Sequence, residues 1–319
     1  MRRTLVTALA LLGGCIVPAQ AQSYPEKTVT IVVPATAGGV TDFIGRLVSQ
    51  HLAKKYGKSV IVENRVGAGT LMGANVVAKA SPDGHTLLVM PLGTLFNSII
   101  SQTIPVSFER DLVPVSVVAD QSLVLVVNVD LPVKDVKELI SYAKKKPDEL
   151  SYGTVGPGSL PDIAVQLLMS MTDTKMVGIP YGGNTPAMTD LLSGRIHLLF
   201  LPLGSALPHI ESGKVRPIGV STPARDIGAP DIPSISEGLP GYSFPTWQAL
   251  MITGGTPNDI IEKLNKDVTE MTAQPEVLAR FKQLHLTRRP PASAAEDKAF
   301  ILSEVSKWGK VLRSIGLSK

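Results

Sequence analysis

Two glycine-rich segments share one design. Residues 34–42 (PATAGGVTD) and 151–162 (SYGTVGPGSLPD) each follow a strand pattern and open a helix pattern. A helix N-terminus leaves its first N–H groups unpaired and carries partial positive charge, so it binds anions without lysine or arginine. In the first segment Thr36, Ala37, Gly38 and Gly39 can turn N–H groups toward a carboxylate, and Thr41 adds a hydroxyl. In the second, Gly156, Gly158 and Ser159 are the counterparts. Thr94 follows the strand TLLVM at the same edge and joins them as a candidate, because ligands of open α/β sheets lie beyond the carboxyl ends of the strands. The competing structural account makes both segments tight βα turns whose glycines only supply positive φ. Asp42 at the helix start reads as a cap, since its charge repels a carboxylate.

The surrounding pattern supplies elements to position these loops. Residues 28–33 read as a strand and 41–54 as a helix with Phe43, Ile44, Leu47, Val48 and Leu52 on one face. A strand at 59–62, a helix at 71–80 stopped by Pro82-Asp83-Gly84, and a strand at 86–90 follow. Nearly all-apolar strands alternating with helices imply a parallel sheet covered on both faces. Strand patterns at 114–119 and 123–129 precede a second series. It has helices at 133–146, 159–171 and from Thr185 to Gly194, and strands at 150–153, 176–179, 196–200 and 215–220. Ser159 is expected as an N-cap, with Asp162 completing a capping-box-like pair. The Pro-rich stretch 223–245 is too long for an ordinary loop and is expected to run over the surface. A strand at 247–252 and mostly helix from 257 to 315 close the chain. The reading is α/β with two lobes. Residues 22–124 plus 223–319 form lobe 1 and 125–222 form lobe 2, with crossings near Val124 and Thr222.

Other chemistries find little support. Gly67, Gly69 and Gly73 follow a strand, but Met72 stands where a dinucleotide fingerprint needs its third glycine, and Met90-Pro91 replaces the acidic residue of the next strand. Helix start and close helix–sheet packing explain these glycines. There is no G-x-S-x-G, and the five histidines show no HExxH or paired metal spacing. No metal, cofactor or catalytic residue is expected. Lys144-Lys145-Lys146 ends a helix, where cations are favoured, so no nucleic-acid patch is implied.

The N-terminus reads as a secretory signal peptide: Arg2 and Arg3, an apolar core at 4–12, and Ala19-Gln20-Ala21 as the cleavage site. Removing the two arginines takes the net charge from +4 to +2 (4 − 2). The sole cysteine, Cys15, leaves with this peptide, which excludes disulfides and thiolate chemistry in the mature chain. Leu12-Gly13-Gly14-Cys15 weakly resembles a lipoprotein site, which if used would leave lipid on Cys15. The expected compartment is the periplasm.

Several runs are similar to the Bug-type solute receptors of tripartite tricarboxylate transporters. They are PATAGGVTDFIGRLV, VENRVGAGTLMGANVVAKASPDGHTLL, LVPVSVVAD, LSYGTVGPGS, MTDLLSGRIHLLF and ALPHIESGKVRPIGV, in order over nearly the whole mature chain. The resemblance implies a two-lobed periplasmic binding protein of the Venus-flytrap, type II-like kind. It implies a small carboxylated ligand held by the two loops, partly through backbone N–H groups and water. It also implies a two-component membrane permease as partner. The protein is expected to be a monomer that binds no nucleic acid. The chain departs from the family pattern at Ala35 (usually aromatic), Asp162 (histidine), Gly182 (a cation) and Leu201 (acidic). Citrate-like, dicarboxylic, aromatic and amino acids remain open as ligands. A periplasmic hydrolase on the same scaffold and a sensor without transport role are the rival readings.

Overall fold

The computed structural model describes residues 24–101, 104 and 106–318. The signal peptide, its cleavage site and Cys15 lie outside the described residues. The chain runs β1 (Val29–Val33), α1 (Val40–Tyr56), β2 (Val60–Asn64), α2 (Leu71–Ala78), β3 (Thr86–Pro91), α3 (Leu92–Ile100) and β4 (Leu112–Gln121). It continues through β5 (Leu123–Asn128), α4 (Val136–Lys145), β6 (Ser151–Thr154), α5 (Leu160–Thr172), β7 (Val177–Pro180), α6 (Asn184–Leu192), β8 (Leu198–Pro202), α7 (Leu203–Glu211) and β9 (Val215–Val220). It ends with β10 (Thr246–Thr253), α8 (Asn258–Thr272), α9 (Pro275–Gln283), β11 (Leu286–Arg288) and α10 (Ala294–Ser314).

These strands form two sheets, in the orders β11-β4-β10-β3-β1-β2 and β7-β6-β8-β5-β9. Both are mixed. β1 pairs in parallel with β2 and β3, while β10 lies antiparallel between β3 and β4. In the second sheet β6 pairs in parallel with β7 and β8, and β5 lies antiparallel between β8 and β9. The short edge strand β11 also runs antiparallel to β4. The internal reversed strands β5 and β10 are those entered when the chain passes from one sheet to the other. Such a strand arrives from the far side, so it must run against its neighbours.

The helical and strand patterns of the sequence become elements with ends shifted by a few residues. Two helices, α3 and α7, carry no clear pattern. Their sequences, LGTLFNSII and LGSALPHIE, hold glycine, β-branched residues and an internal Pro208, all poor helix formers. Each starts directly after a strand-ending proline, and tertiary packing supplies what propensity lacks: Leu95, Phe96, Leu203 and Ala206 are buried.

One buried apolar cluster is continuous across both sheets, from Val32, Met90 and Phe96 to Leu125, Phe200 and Leu139. At its centre Phe96 of α3 and Phe244 meet Trp308 of α10 at ring-centroid distances of 4.9 and 5.1 Å. The outer faces of the two sheets carry separate cores. The Pro-rich stretch does more than run over the surface. It buries Ile232, Ile235, Tyr242 and Phe244, and Tyr242 Oη donates to the Ala164 carbonyl of α5 at 3.0 Å. Gly73 fits the packing account of the glycine motif, since a Cβ there would lie 2.8 Å from Pro34 Cβ.

Candidate ligand cleft between the two sheets

The first loop is held by its own carboxylate. Gly38 sits at φ +90°, and its N–H donates to Asp42 Oδ2 at 3.0 Å. Asp42 is buried and also accepts from Arg46 Nε (2.9 Å), Arg46 Nη2 (3.1 Å) and Asn64 Nδ2 (2.9 Å). The Arg46 guanidinium, with the Gly38 and Asn64 donors, outweighs burial and draws the Asp42 carboxyl down to about 2. Asn64 Nδ2 additionally donates to the Ala35 carbonyl at 2.9 Å, tying the loop to β2. Thr36, Ala37, Gly38 and Gly39 are exposed. The first intrahelical bond of α1 runs from Phe43 N–H to Gly39 O, so the N–H groups before it have no partner of that kind.

The second loop repeats the device. Gly158 N–H donates to Asp162 Oδ2 at 2.8 Å, and Gln166 Nε2 donates to the same oxygen at 2.8 Å. Tyr152 Oη donates to Asp162 Oδ1 at 2.7 Å, and burial pushes its phenol pKa up, keeping that proton in place. Gln166 thus stands to Asp162 as Arg46 stands to Asp42. The expected capping-box pair of Ser159 and Asp162 does not form. Ser159 occupies the N-cap position without a side-chain cap bond, and its Oγ lies 2.9 Å from Thr154 Oγ1. Gly156 N–H donates to Thr154 Oγ1 at 3.2 Å. A Cβ on Gly158 would lie 3.0 Å from Ile100 Cδ1, so this loop leans on the end of α3 in the other half.

The N-termini of α1 and α7 face one cleft of about 490 Å³. Gly38, Gly39, Val40 and Phe43 line it on one side, Pro202, Gly204 and Ser205 on the other, with Gln121, Gln283 and Leu284 between. None of these side chains is charged. An anion placed here would meet helix N–H groups and neutral side chains rather than a cation. Gly204 and Ser205 were not among the sequence candidates. A signal existed: Pro202-Leu203-Gly204-Ser205 repeats Pro91-Leu92-Gly93-Thr94, one copy per sheet, each opening a helix straight after a strand. Of the expected residues, Gly38 and Gly39 line this cleft. Thr36, Ala37, Thr41, Thr94, Gly156, Gly158 and Ser159 do not.

Two hydroxyls are committed elsewhere. Thr94 is fully buried and its Oγ1 accepts from Thr70 Oγ1 at 2.8 Å. Thr41 Oγ1 donates to Gln248 Oε1 at 3.2 Å. The departures at Ala35 and Leu201 also have structural roles. Ala35 packs on the outer core of the first sheet, and Leu201 is buried in that of the second. Gly182 lies in open space. Among the described residues no three histidine, cysteine, aspartate or glutamate side chains gather to hold a metal ion. A serine–histidine contact does occur, Ser151 Oγ to His197 Nδ1 at 3.0 Å. It sits at the start of β6, at the strand end away from the helix N-termini, and His197 Nδ1 also accepts the Ser151 N–H at 3.0 Å. No helix of the described residues is long and apolar enough to cross a membrane.

Known proteins resemble the chain throughout. BugT of Bordetella pertussis is 33% identical over 321 residues, covering 97% of this chain and 97% of that protein. The solved structure of R. palustris Rpa4515 with adipate superposes with TM-score 0.79 at 32% identity, over 92% of this chain and 98% of that one. MatC from Rhodopseudomonas palustris with bound malate gives TM-score 0.77 at 32% identity, over 91% and 100%. The sequence profile described as tripartite tricarboxylate transporter family receptor matches residues 44–317. With its two mixed sheets, its flanking helices and its uncharged cleft lined by helix N-termini, the chain belongs to this family of solute-binding receptors of tripartite tricarboxylate transporters.

Proposed function

We propose that this receptor captures a small organic acid with at least one free carboxylate between its two lobes and presents it to the permease of a tripartite transporter. It acts as an exported binding protein, not an enzyme. The observation that carries the reading is the uncharged cleft with the α1 and α7 N-termini on opposite sides. Adipate in Rpa4515 and malate in MatC support short diacids as the first ligands to try. The first carboxylate would sit at the α1 N-terminus, against the 36–39 loop. The second loop, with Gly156 and Ser159, and the Gly204-Ser205 turn would close from the other lobe. Gly38 and Gly158 would act by shaping the loops, because their N–H groups belong to Asp42 and Asp162. Thr94 would brace Thr70 rather than touch ligand.

The lobes in this proposal are residues 22–124 plus 223–319 and residues 125–222, hinged where the chain crosses between the sheets near 122–124 and near 221–222, with the 223–245 segment packed on both through Phe244 on Trp308 and Tyr242 on Ala164. The mature protein would begin after Ala21 and work as a monomer in the periplasm. The test is a thermal-shift series in which each acid is measured beside its amide. At ~100 times the dissociation constant a ligand adds about 2.7 kcal/mol, a shift of several degrees. A shift with an acid and none with its amide supports the reading. Equal shifts with acid and amide overturn it.

A further inference from the structure

Next to the ligand cleft lies a second groove of about 400 Å³, lined by the 226–228 turn, by the end of α9 and by residues 285–288 of the connection through β11. Its apolar groups are held out to solvent. Ile227 at the tip of the turn is 85% exposed, and Leu278, which also lines the groove, is 40% exposed. Ile227 does not ride on a loose loop. The buried Asp226 carboxylate accepts from Ser122 Oγ at 2.5 Å and from Gly228 N–H at 2.8 Å, and Ala229 N–H closes the turn on Asp226 O at 3.0 Å. β11 is the end strand of its sheet, so its outer edge has no strand partner. Such an edge offers N–H and C=O groups to an extended chain. Lys282 and Arg288 line the same groove, and among the described residues neither is ion-paired; Arg288 Nε donates to the neutral Thr272 Oγ1 at 3.2 Å. The one acid of the lining, Asp226, is turned inward to Ser122 and Gly228, which leaves the groove positive. Groove and cleft also share a wall. Gln283 and Leu284 line the cleft, while their chain neighbours Lys282 and His285 line the groove.

We propose that this groove is the docking surface for the permease and takes an extended permease segment that carries apolar side chains and net negative charge. The apolar side chains cover Ile227 and Leu278, the acidic ones meet Lys282 and Arg288, and the backbone runs along β11. The inference rests on the receptor reading above. It adds where the partner sits and how it reads occupancy: a ligand seated against Gly204 and Leu284 shifts the 282–285 connection, whose other side forms the groove.

The experiment measures uptake of labelled malate and adipate into vesicles bearing the cognate permease, with ligand titration and urea unfolding of each receptor in parallel. Ile227→Asp and the double variant Lys282→Glu/Arg288→Glu are expected to lower uptake about tenfold or more, the size of an interface anchor, with ligand affinity and unfolding midpoint unchanged. Lys282→Gln/Arg288→Gln should lose less than the double glutamate variant. Met72→Asp, at a half-exposed apolar residue of α2 outside the groove, should transport as wild type does. The sole cysteine, Cys15, precedes the mature chain, so Ile227→Cys can carry a single benzophenone label, which should cross-link to the permease more with malate than without. Wild-type uptake by Ile227→Asp, or uptake that falls only as far as ligand affinity does, overturns the inference and leaves the receptor reading intact. A double glutamate variant that transports as well as the double glutamine variant overturns the acidic segment, and cross-linking indifferent to malate overturns the sensing of occupancy. If the wild type binds no acid of the panel, the receptor reading falls and this inference falls with it.

Discussion

Replacing Asp42 by asparagine tests the self-capping loop most directly. The Asp42 carboxyl is lowered from 3.8 to about 2, first by its hydrogen bonds from Arg46 and then by those from Gly38 and Asn64. At about 1.36 kcal/mol per unit the shift corresponds to about 2.4 kcal/mol. The Arg46 side chain is 51% exposed, so screening removes part of this and about 1.5–2 kcal/mol is expected. Because the folded pKa is the lower one, this stability is present above the unfolded value near 4 and is lost as pH falls through about 2. By proton linkage about half of it remains at pH 3. Urea unfolding of wild type and Asp42→Asn at pH 7 and pH 3 reads the difference. The variant should be weaker by about 1.5–2 kcal/mol at pH 7 and by roughly half that at pH 3. Equal destabilisation at both pH values would mean that the carboxylate's charge does not hold the loop. Carboxylate affinity should move the other way and strengthen severalfold, since a like charge beside the α1 N-terminus has gone and Arg46 is released.

Two further pairs of substitutions probe the contacts between the halves and beneath the first sheet. The His285 ring wedges between two glycines, Gly204 of the other half and Gly228 of the 223–245 segment: a Cβ on Gly204 would lie 3.0 Å from its Cδ2, and one on Gly228 2.9 Å from its Nδ1. Gly204→Ala should cost about 1–3 kcal/mol by overpacking, and adding His285→Ala should recover most of it in the same unfolding assay. Failure of the second change to rescue the first would show that the wedge is not where the strain lies. Glu304 of α10 accepts from Trp247 Nε1 at 3.1 Å and Trp308 Nε1 at 2.9 Å. Glu304→Leu leaves both buried indole donors unpaired and should cost about 2–5 kcal/mol, with Glu304→Gln costing clearly less. Equal midpoints for the two variants would remove the hydrogen bonds from the account.

Much of the architecture was written in local pattern. Apolar runs such as TVTIVV and LVLVV can only be buried strands, and the amphipathic 41–54 stretch needs a sheet to cover, so alternating strands and helices were legible from periodicity alone. The two glycine loops were legible for the same reason: strand, glycine turn and helix follow one another in the chain, and the macrodipole needs nothing more. The helices α3 and α7 were not legible. Their sequences are poor helix formers, and they exist because Phe96, Leu203 and Ala206 find cores made by residues far away in the chain.

The sequence by itself determined that this is an α/β protein whose strands and helices alternate, with two glycine-opened helices. These follow from residue type and short-range spacing. Only the tertiary structure decided where each N–H and hydroxyl points. Gly38 and Gly158 give their N–H groups to Asp42 and Asp162, Thr41 turns to Gln248, and Thr94 is buried under Thr70. It also decided that Gly38 and Gly39 face Gly204 and Ser205 across the cleft, and that Gln248, more than 200 residues along the chain from the first loop, lies beneath it. Local spacing fixes which groups a turn offers. Long-range packing fixes which of them the fold has already used, and a binding site is built from what remains.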